Sequence, residues 1–328
     1  MTRRAWAQFL LLSGVWGASY LFIKIGLRDM SAAEVVSART GLAALVLWPV
    51  ALQRGAMRGL GRRAPELILL ATIQMAAPFT LITLGERHIA SSLAGILVAA
   101  APIWIALLAP LLDPEESSYG WRLAGILVGI VGVALLLGVD VGGDSQALLG
   151  GVMVVLAALG YALAGLFIKR RFRGADPVGV VAGTTLTAAL LLLPAAILTA
   201  PSGAPGAGPV AAVVALGVAG TGMAFVLVNV LVANVGPAKM SLVAYVSPAF
   251  ALFYGVVFLD EGVSVGTFVG LALILGGSWL AAGGRLGGGA RRELAASRVD
   301  VAAAREPDCG PQPVLFESRA ERVDRAAS

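Results

Sequence analysis

Apolar residues arrive in this chain as long unbroken runs, without the alternation of a half-buried strand or the narrow stripe of a surface helix. Ten runs stand out, at residues 5–25, 33–52, 65–85, 90–112, 120–139, 147–168, 177–199, 210–233, 239–259 and 266–284. About 20 helical residues at 1.5 Å each cross a hydrocarbon core of about 30 Å, so each run predicts a transmembrane helix. Barrel strands would need alternating lumen-facing and lipid-facing positions, which are absent. The expected fold is therefore an all-α polytopic membrane protein with ten transmembrane helices. The first run is too long for a signal-peptide core, and Lys24-Ile25-Gly26 offers no small-x-small cleavage site, so it is expected to stay in the protein.

The runs say nearly the same thing twice. Leu21-Phe22-Ile23-Lys24 returns as Leu166-Phe167-Ile168-Lys169, and fourteen of the thirty-six positions in 16–51 are identical to those in 161–196. Ordinary residue usage at this composition would give about four. Farther on, Pro102 matches Pro248, Glu115 matches Glu261, and Gly125/Gly132 match Gly270/Gly277. Each copy holds five runs. A duplicated odd-numbered membrane unit inserts its second copy upside down, and inverted repeats are common in secondary transporters. The expected organisation is a first repeat over 1–139, a second over 147–284 and a tail from 285.

Composition agrees with the runs: 58% of residues are hydrophobic, 13% are charged and mean hydropathy is +0.88. One Cys and one His exclude a disulfide framework and any thiolate or imidazole metal cluster, so no metal and no cofactor are expected. The net charge of +5 does not point to nucleic acid, because its distribution is a topology signal. Fifteen Lys and Arg fall at the N-terminus, after even-numbered runs and between runs four and five, six and seven, and eight and nine; only Lys24, Arg28 and Arg87 fall on the other side. The positive-inside rule then puts both termini in the cytoplasm. With 21 Arg against 3 Lys and abundant Ala and Gly, a GC-rich bacterium and its inner membrane are the expected setting. The tail, 285–328, carries eight Arg and seven acids without apolar periodicity, a composition expected to stay disordered.

Polar groups inside apolar runs are the first candidates for function, because each is costly in lipid unless it meets a partner or water. Arg39 lies roughly 10 Å into the second helix. It could hold a substrate carboxylate, answer a proton lost from Glu34, or serve structure by pairing with another helix. Gln74 and Asn229, in the third and eighth helices, could line a midplane cavity or glue helices together. Trp16 and Tyr161 are repeat equivalents; with Trp104 and Tyr245 they could form an aromatic wall. Pro102 and Pro248 could act as hinges or as static bends. Glu115 and Glu261 close the fourth and ninth runs as caps or gates. His88, beside Glu86 and Arg87, could relay protons or simply sit at the interface. The glycines seven apart, at 125/132 and 270/277, predict close helix packing.

Together these features resemble the EamA-type members of the drug/metabolite transporter superfamily: two five-helix repeats, Trp16-Gly17 near the start, a proline in each fourth helix at Pro102 and Pro248, a carboxylate after each at Glu115 and Glu261, and a glycine-spaced fifth helix. The resemblance covers residues 5–284 and departs at Asp113-Pro114-Glu115-Glu116, an unusual form of the acidic step. It implies an inner-membrane carrier with a central cavity lined mainly by helices 1, 3, 4, 6, 8 and 9, in a group of which many members export amino acids or other small metabolites. The expected function is alternating-access export of an amino acid or related amphipathic compound, without catalysis. Substrate contacts are expected from Trp16, Arg39, Gln74, Trp104, Tyr161, Asn229 and Tyr245, and gating or coupling from Glu34, His88, Pro102, Pro248, Glu115 and Glu261. The expected partners are a small-molecule substrate and the lipid bilayer, with a homodimer allowed. Two alternatives stand beside this one: a membrane enzyme acting on a lipid-linked substrate, and a non-transporting sensor or scaffold that signals through its tail.

Overall fold

A computed structural model describes residues 1–112, 120–139 and 143–282. Among them every regular element is helical, and eight helices are long and apolar enough to cross a membrane. These are α1 (Arg3–Gly26), α2 (Ala32–Gln53), α3 (Leu60–Gly85), α4 (Ser91–Val98, continued by Ala101–Leu112), α5 (Trp121–Val139), α6 (Ser145–Arg171), α7 (Pro177–Leu198) and α8 (Ala207–Val235). The last two, α9 (Val243–Leu259) and α10 (Val265–Ala281), are shorter apolar helices of 17 residues each. A single turn, Pro237–Met240, leads into α9. The expected disordered tail and the acidic step that includes Glu115 lie outside the described residues.

Helix ends follow local chemistry. Ser31 starts α2 in a capping box: Glu34 N donates to Ser31 Oγ at 3.2 Å and Ser31 N donates to Glu34 Oε2 at 2.7 Å. Asp144 and Asp176 cap α6 and α7, and Ser264 caps α10. Pro102 has no N–H for the carbonyl one turn back, and α4 breaks at Ala99–Ala100 just before it. The Ala99 carbonyl, bypassed because Ile103 N donates to the Ala100 carbonyl, accepts from Ser278 Oγ on α10 at 3.2 Å, so non-helical backbone at this depth is satisfied by a neighbouring helix.

Two helices widen in the middle. Residues Thr72–Ala76 of α3 and Val218–Met223 of α8 form π-helical turns, whose starts are 146 residues apart, the same offset as Pro102 and Pro248. Such turns are rare and concentrate at functional sites.

The helices pair in a regular pattern. α2 packs along α7 and α5 along α10, while α1 packs on α8 and α9, and α6 on α3 and α4. Glycine permits the closest approaches. A Cβ at Gly17 would fall within 2.9 Å of the Ser247 carbonyl and the Ala251 amide of α9, and one at Gly125 within 2.7 Å of the Gly277 carbonyl of α10. The α5–α10 seam is thus where the glycines spaced seven apart let two backbones touch. Large side chains fill the rest, with Leu93, Ile96, Leu97, Ile126, Leu136 and Ile274 in one cluster at the centre.

Candidate functional site

A cavity of about 350 Å³ opens inside the bundle between α1, α2, α3, α4, α6, α8 and α9. Helical periodicity aims a strip of each helix into it. On α1, Trp16, Ser19, Tyr20 and Ile23 recur at three- and four-residue intervals; on α3, Phe79 and Ile82 do the same. The two π turns contribute Gln74 and Gly220. Aromatic rings form much of the wall: Trp16 meets Phe225 edge-on at 6.4 Å, and Phe79 meets Tyr161 edge-on at 6.4 Å.

Arg39 is the charge in this cavity, and only 7% of its surface is exposed. Its Nε–H donates to Thr221 Oγ1 at 2.8 Å. Its guanidinium carbon lies 3.8 Å from the centre of the Phe79 ring, a cation–π contact. Thr221 in turn donates to the Leu216 carbonyl at 3.0 Å, a five-residue reach made possible by the π turn. The guanidinium is therefore clamped on one edge and one face. Among the described residues no acceptor takes its Nη hydrogens, which leaves the fork of donors that matches a carboxylate. Two more polar atoms of cavity-lining residues lack protein partners: Gln74 Oε1 and Ser247 Oγ are both buried.

Of the residues singled out in the sequence, Trp16, Arg39, Gln74, Tyr161, Pro102 and Pro248 come together around this cavity. Trp104, Asn229 and Tyr245 do not line it. Asn229 Nδ2 donates to the Phe225 carbonyl one turn back at 2.8 Å, while Trp104 and Tyr245 are half-buried. Glu34 is engaged in the α2 capping box rather than with Arg39. His88 is exposed and lines a separate cleft of about 490 Å³ with Ser92, Ala147 and Thr267. Glu261 accepts from the backbone amides of Ser91 at 2.6 Å and Ser92 at 2.9 Å, so the second residue after α9 caps α4. Sequence reading passed over Tyr20, Phe79, Thr221 and Ser247. Tyr20 and Phe79 carry a weak signal, being aromatics one or two turns from candidates on the same helix; Thr221 and Ser247 carry none.

A multi-pass helical bundle that buries a permanently charged guanidinium beside unpaired polar atoms in an aromatic cavity has the architecture of a membrane carrier. The sequence profile of the EamA-like transporter family matches the chain twice, at residues 4–138 and 148–283. The chain belongs to that family. Similar proteins include the uncharacterized transporter YoaV of Bacillus subtilis, 23% identical over 81% of this chain and 92% of its own. A protein of Streptantibioticus cattleyicolor described as a "probable terminal-alkyne amino-acid exporter" is 28% identical over 85% of this chain and 93% of its own. The uncharacterized inner membrane transporter YedA of Escherichia coli is 24% identical over 80% and 85%. A solved crystal structure, 22% identical, shares the fold with a TM-score of 0.60 and covers 86% of this chain and 97% of its own.

Proposed function

We propose that the protein is a secondary transporter that carries an amino acid or a related amphipathic zwitterion out across the cytoplasmic membrane. The observation that carries this reading is the clamp on Arg39. Thr221 and Phe79 fix the guanidinium so that its open fork faces the cavity, where a substrate carboxylate fits. Gln74 Oε1 and Ser247 Oγ are acceptors for the ammonium group, and the wall of Trp16, Tyr20, Tyr161 and Phe225 takes the side chain. The name of the Streptantibioticus relative supports both cargo and direction.

Alternating access of two inverted five-helix repeats moves the site from one side to the other. Four observations support it: the internal sequence duplication, the paired π turns, the helix pairing, and the contrast between the two repeat-equivalent lysines. Lys24 Nζ donates to the carbonyls of Glu86 and Ile89, closing its end of the bundle, whereas Lys169 is exposed at the other. The two 17-residue helices complete the ten spans; at 1.5 Å per residue each reaches about 25 Å, enough with little tilt and slight local thinning. The Lys and Arg asymmetry supports cytoplasmic termini, and hence a cytoplasmic face at Lys169 and an outer face at Lys24. Glu261, Pro102 and Pro248 fit this scheme as gating elements, because they lie where α4 and α9 must move; Trp104, Asn229 and Tyr245 remain candidates for contact in another state of the cycle, and Glu34 and His88 for coupling.

The test is efflux from cells overexpressing the protein and preloaded with a panel of amino acids. Faster efflux of one chemical class, reduced when Arg39 is replaced by Ala in protein that still reaches the membrane, supports the reading. Equal efflux with and without the guanidinium removes Arg39 from the path.

A further inference from the structure

Phe79, Ile82 and Glu86 fall at intervals of three and four residues along α3, so Glu86 continues the stripe that lines the cavity and ends it at the helix C-cap. On α1, Trp16, Tyr20 and Lys24 form a parallel stripe that ends at the same level, where Lys24 donates to the Glu86 carbonyl. Glu86 is fully buried, and neither carboxyl oxygen has a hydrogen-bond partner. The Lys24 ammonium directs two of its three hydrogens to the backbone carbonyls of Glu86 and Ile89 and makes no bond to the Glu86 carboxyl, and the Glu261 carboxylate is occupied by the amides of Ser91 and Ser92. The charged and titratable groups that act on Glu86 are Lys24 and Tyr20 from α1, Arg39 from α2 and Glu261 from the end of α9; Arg87 and His88 follow it in its own loop and are exposed. An ionised carboxylate here would be desolvated with no donor in return, which is the costliest way to bury a charge. A neutral carboxyl fits.

We propose that Glu86 is the proton-binding site of the carrier, loading one proton from outer water when its end of the bundle opens, holding it through closure, and giving it up to the cavity when substrate enters from the cytoplasmic side. Its environment points the same way: burial pushes the carboxyl well above the usual carboxylate range, Lys24 and Arg39 pull it back, and Glu261 adds to the push. The proton balance follows from the fold. When the Lys24–Glu261 end opens outward, the carboxylate is hydrated and takes a proton from outer water, forming one O–H bond. Closure buries the neutral group. On the cytoplasmic side the ammonium of an entering zwitterion becomes a positive neighbour beyond Tyr20, and the O–H bond breaks, releasing the proton to cavity water. One proton enters for each zwitterion that leaves. This coupling rests on the amino-acid export reading, but proton occupancy of Glu86 does not.

Two measurements on the full-length protein in liposomes separate the two claims. Infrared titration is expected to show a protonated-carboxyl C=O band at neutral pH that disappears in Glu86→Gln; its absence from the wild type overturns the proposal whatever the cargo. Counterflow and gradient-driven transport are then measured with radiolabelled leucine, methionine and phenylalanine. Because each cycle carries one net positive charge inward, the membrane potential is clamped at zero; one-for-one exchange then sets a limit of about tenfold accumulation per unit of pH difference, collapsed by a protonophore. Glu86→Gln is expected to lose this response, and Glu86→Asp to keep it with a displaced pH midpoint. Gradient-driven accumulation by Glu86→Gln equal to the wild type overturns the proposal while leaving the substrate reading intact. An infrared band with no amino-acid counterflow does the reverse: the proton site stands and the cargo falls.

Discussion

At the scale of single residues, the clamp on Arg39 sets the strongest expectations. Hydrogen bonds to charged groups contribute about 1.5–3 kcal/mol, so losing the fork should raise the substrate KM roughly 10- to 100-fold. Arg39→Lys should behave nearly as badly as Arg39→Ala, because an ammonium cannot hold Thr221, stack on Phe79 and present a bidentate face together. Full activity in the lysine variant, measured as counterflow KM, would reduce Arg39 to a point charge. Thr221→Val removes one partner of about 0.5–1.5 kcal/mol and should raise KM by roughly 2- to 10-fold with little change in the amount of folded protein. Glu86 sets a pH dependence. Its folded-state pKa lies above the unfolded value, so its contribution to stability is complete below the ordinary carboxylate range and is lost as pH rises through the raised pKa. The thermal midpoint of the wild type should therefore fall relative to Glu86→Gln as pH is raised. Parallel curves would contradict a buried neutral carboxyl. Arg39 was legible in the sequence because a charge interrupts an apolar run. Its partner was not: Thr221 is 182 residues away, and a threonine in a membrane helix has no pattern of its own.

At the scale of elements, the apolar runs located each long apolar helix among the described residues, while the irregularities that build the site stayed hidden. A π turn adds one residue to a ladder without altering hydropathy, so nothing in 65–85 or 210–233 marked Thr72–Ala76 or Val218–Met223. Pro78 after the first and Gly217, Gly220 and Gly222 around the second are the nearest signals, residues that weaken an α-helical ladder. The break at Ala99–Ala100 was foreshadowed by Pro102, but the Ser278 donor that makes it tolerable comes from another helix. The glycine spacing was directly legible, since only close packing rewards small residues seven apart on one face. A large residue at that seam should force α5 and α10 apart. Gly277→Leu, whose Cβ would meet the Gly125 carbonyl and the Gly129 Cα at 2.7 Å, should cost about 1–3 kcal/mol, read as a lower thermal midpoint in detergent. Gly276→Leu, one position away and facing open space, is the control; because leucine is the better helix former, equal losses in both would mean that the α5–α10 contact is not their cause.

At the scale of the whole molecule, the duplication was the most informative feature of the sequence, and the charge asymmetry predicts its orientation. Both act over the entire chain, which is why they survive in sequence when individual contacts do not. The orientation has a direct check: a periplasm-active reporter fused after Ser202 should give signal and one fused after Arg173 should not, and the opposite pattern would invert the carrier in the membrane. The family resemblance implied a cavity lined mainly by helices 1, 3, 4, 6, 8 and 9, and the observed wall draws on those six and α2. What the sequence could not supply was which side chains face it: Trp104, Asn229 and Tyr245 have the right chemistry and depth yet do not line it. The most direct test of the central claim is counterflow by the purified protein in liposomes, loaded with unlabelled amino acid and offered the labelled one outside. Labelled amino acid should accumulate transiently with the wild type and fail to do so with Arg39→Ala. No exchange of any zwitterion by the wild type, or exchange indifferent to Arg39, would contradict a carrier built around that guanidinium.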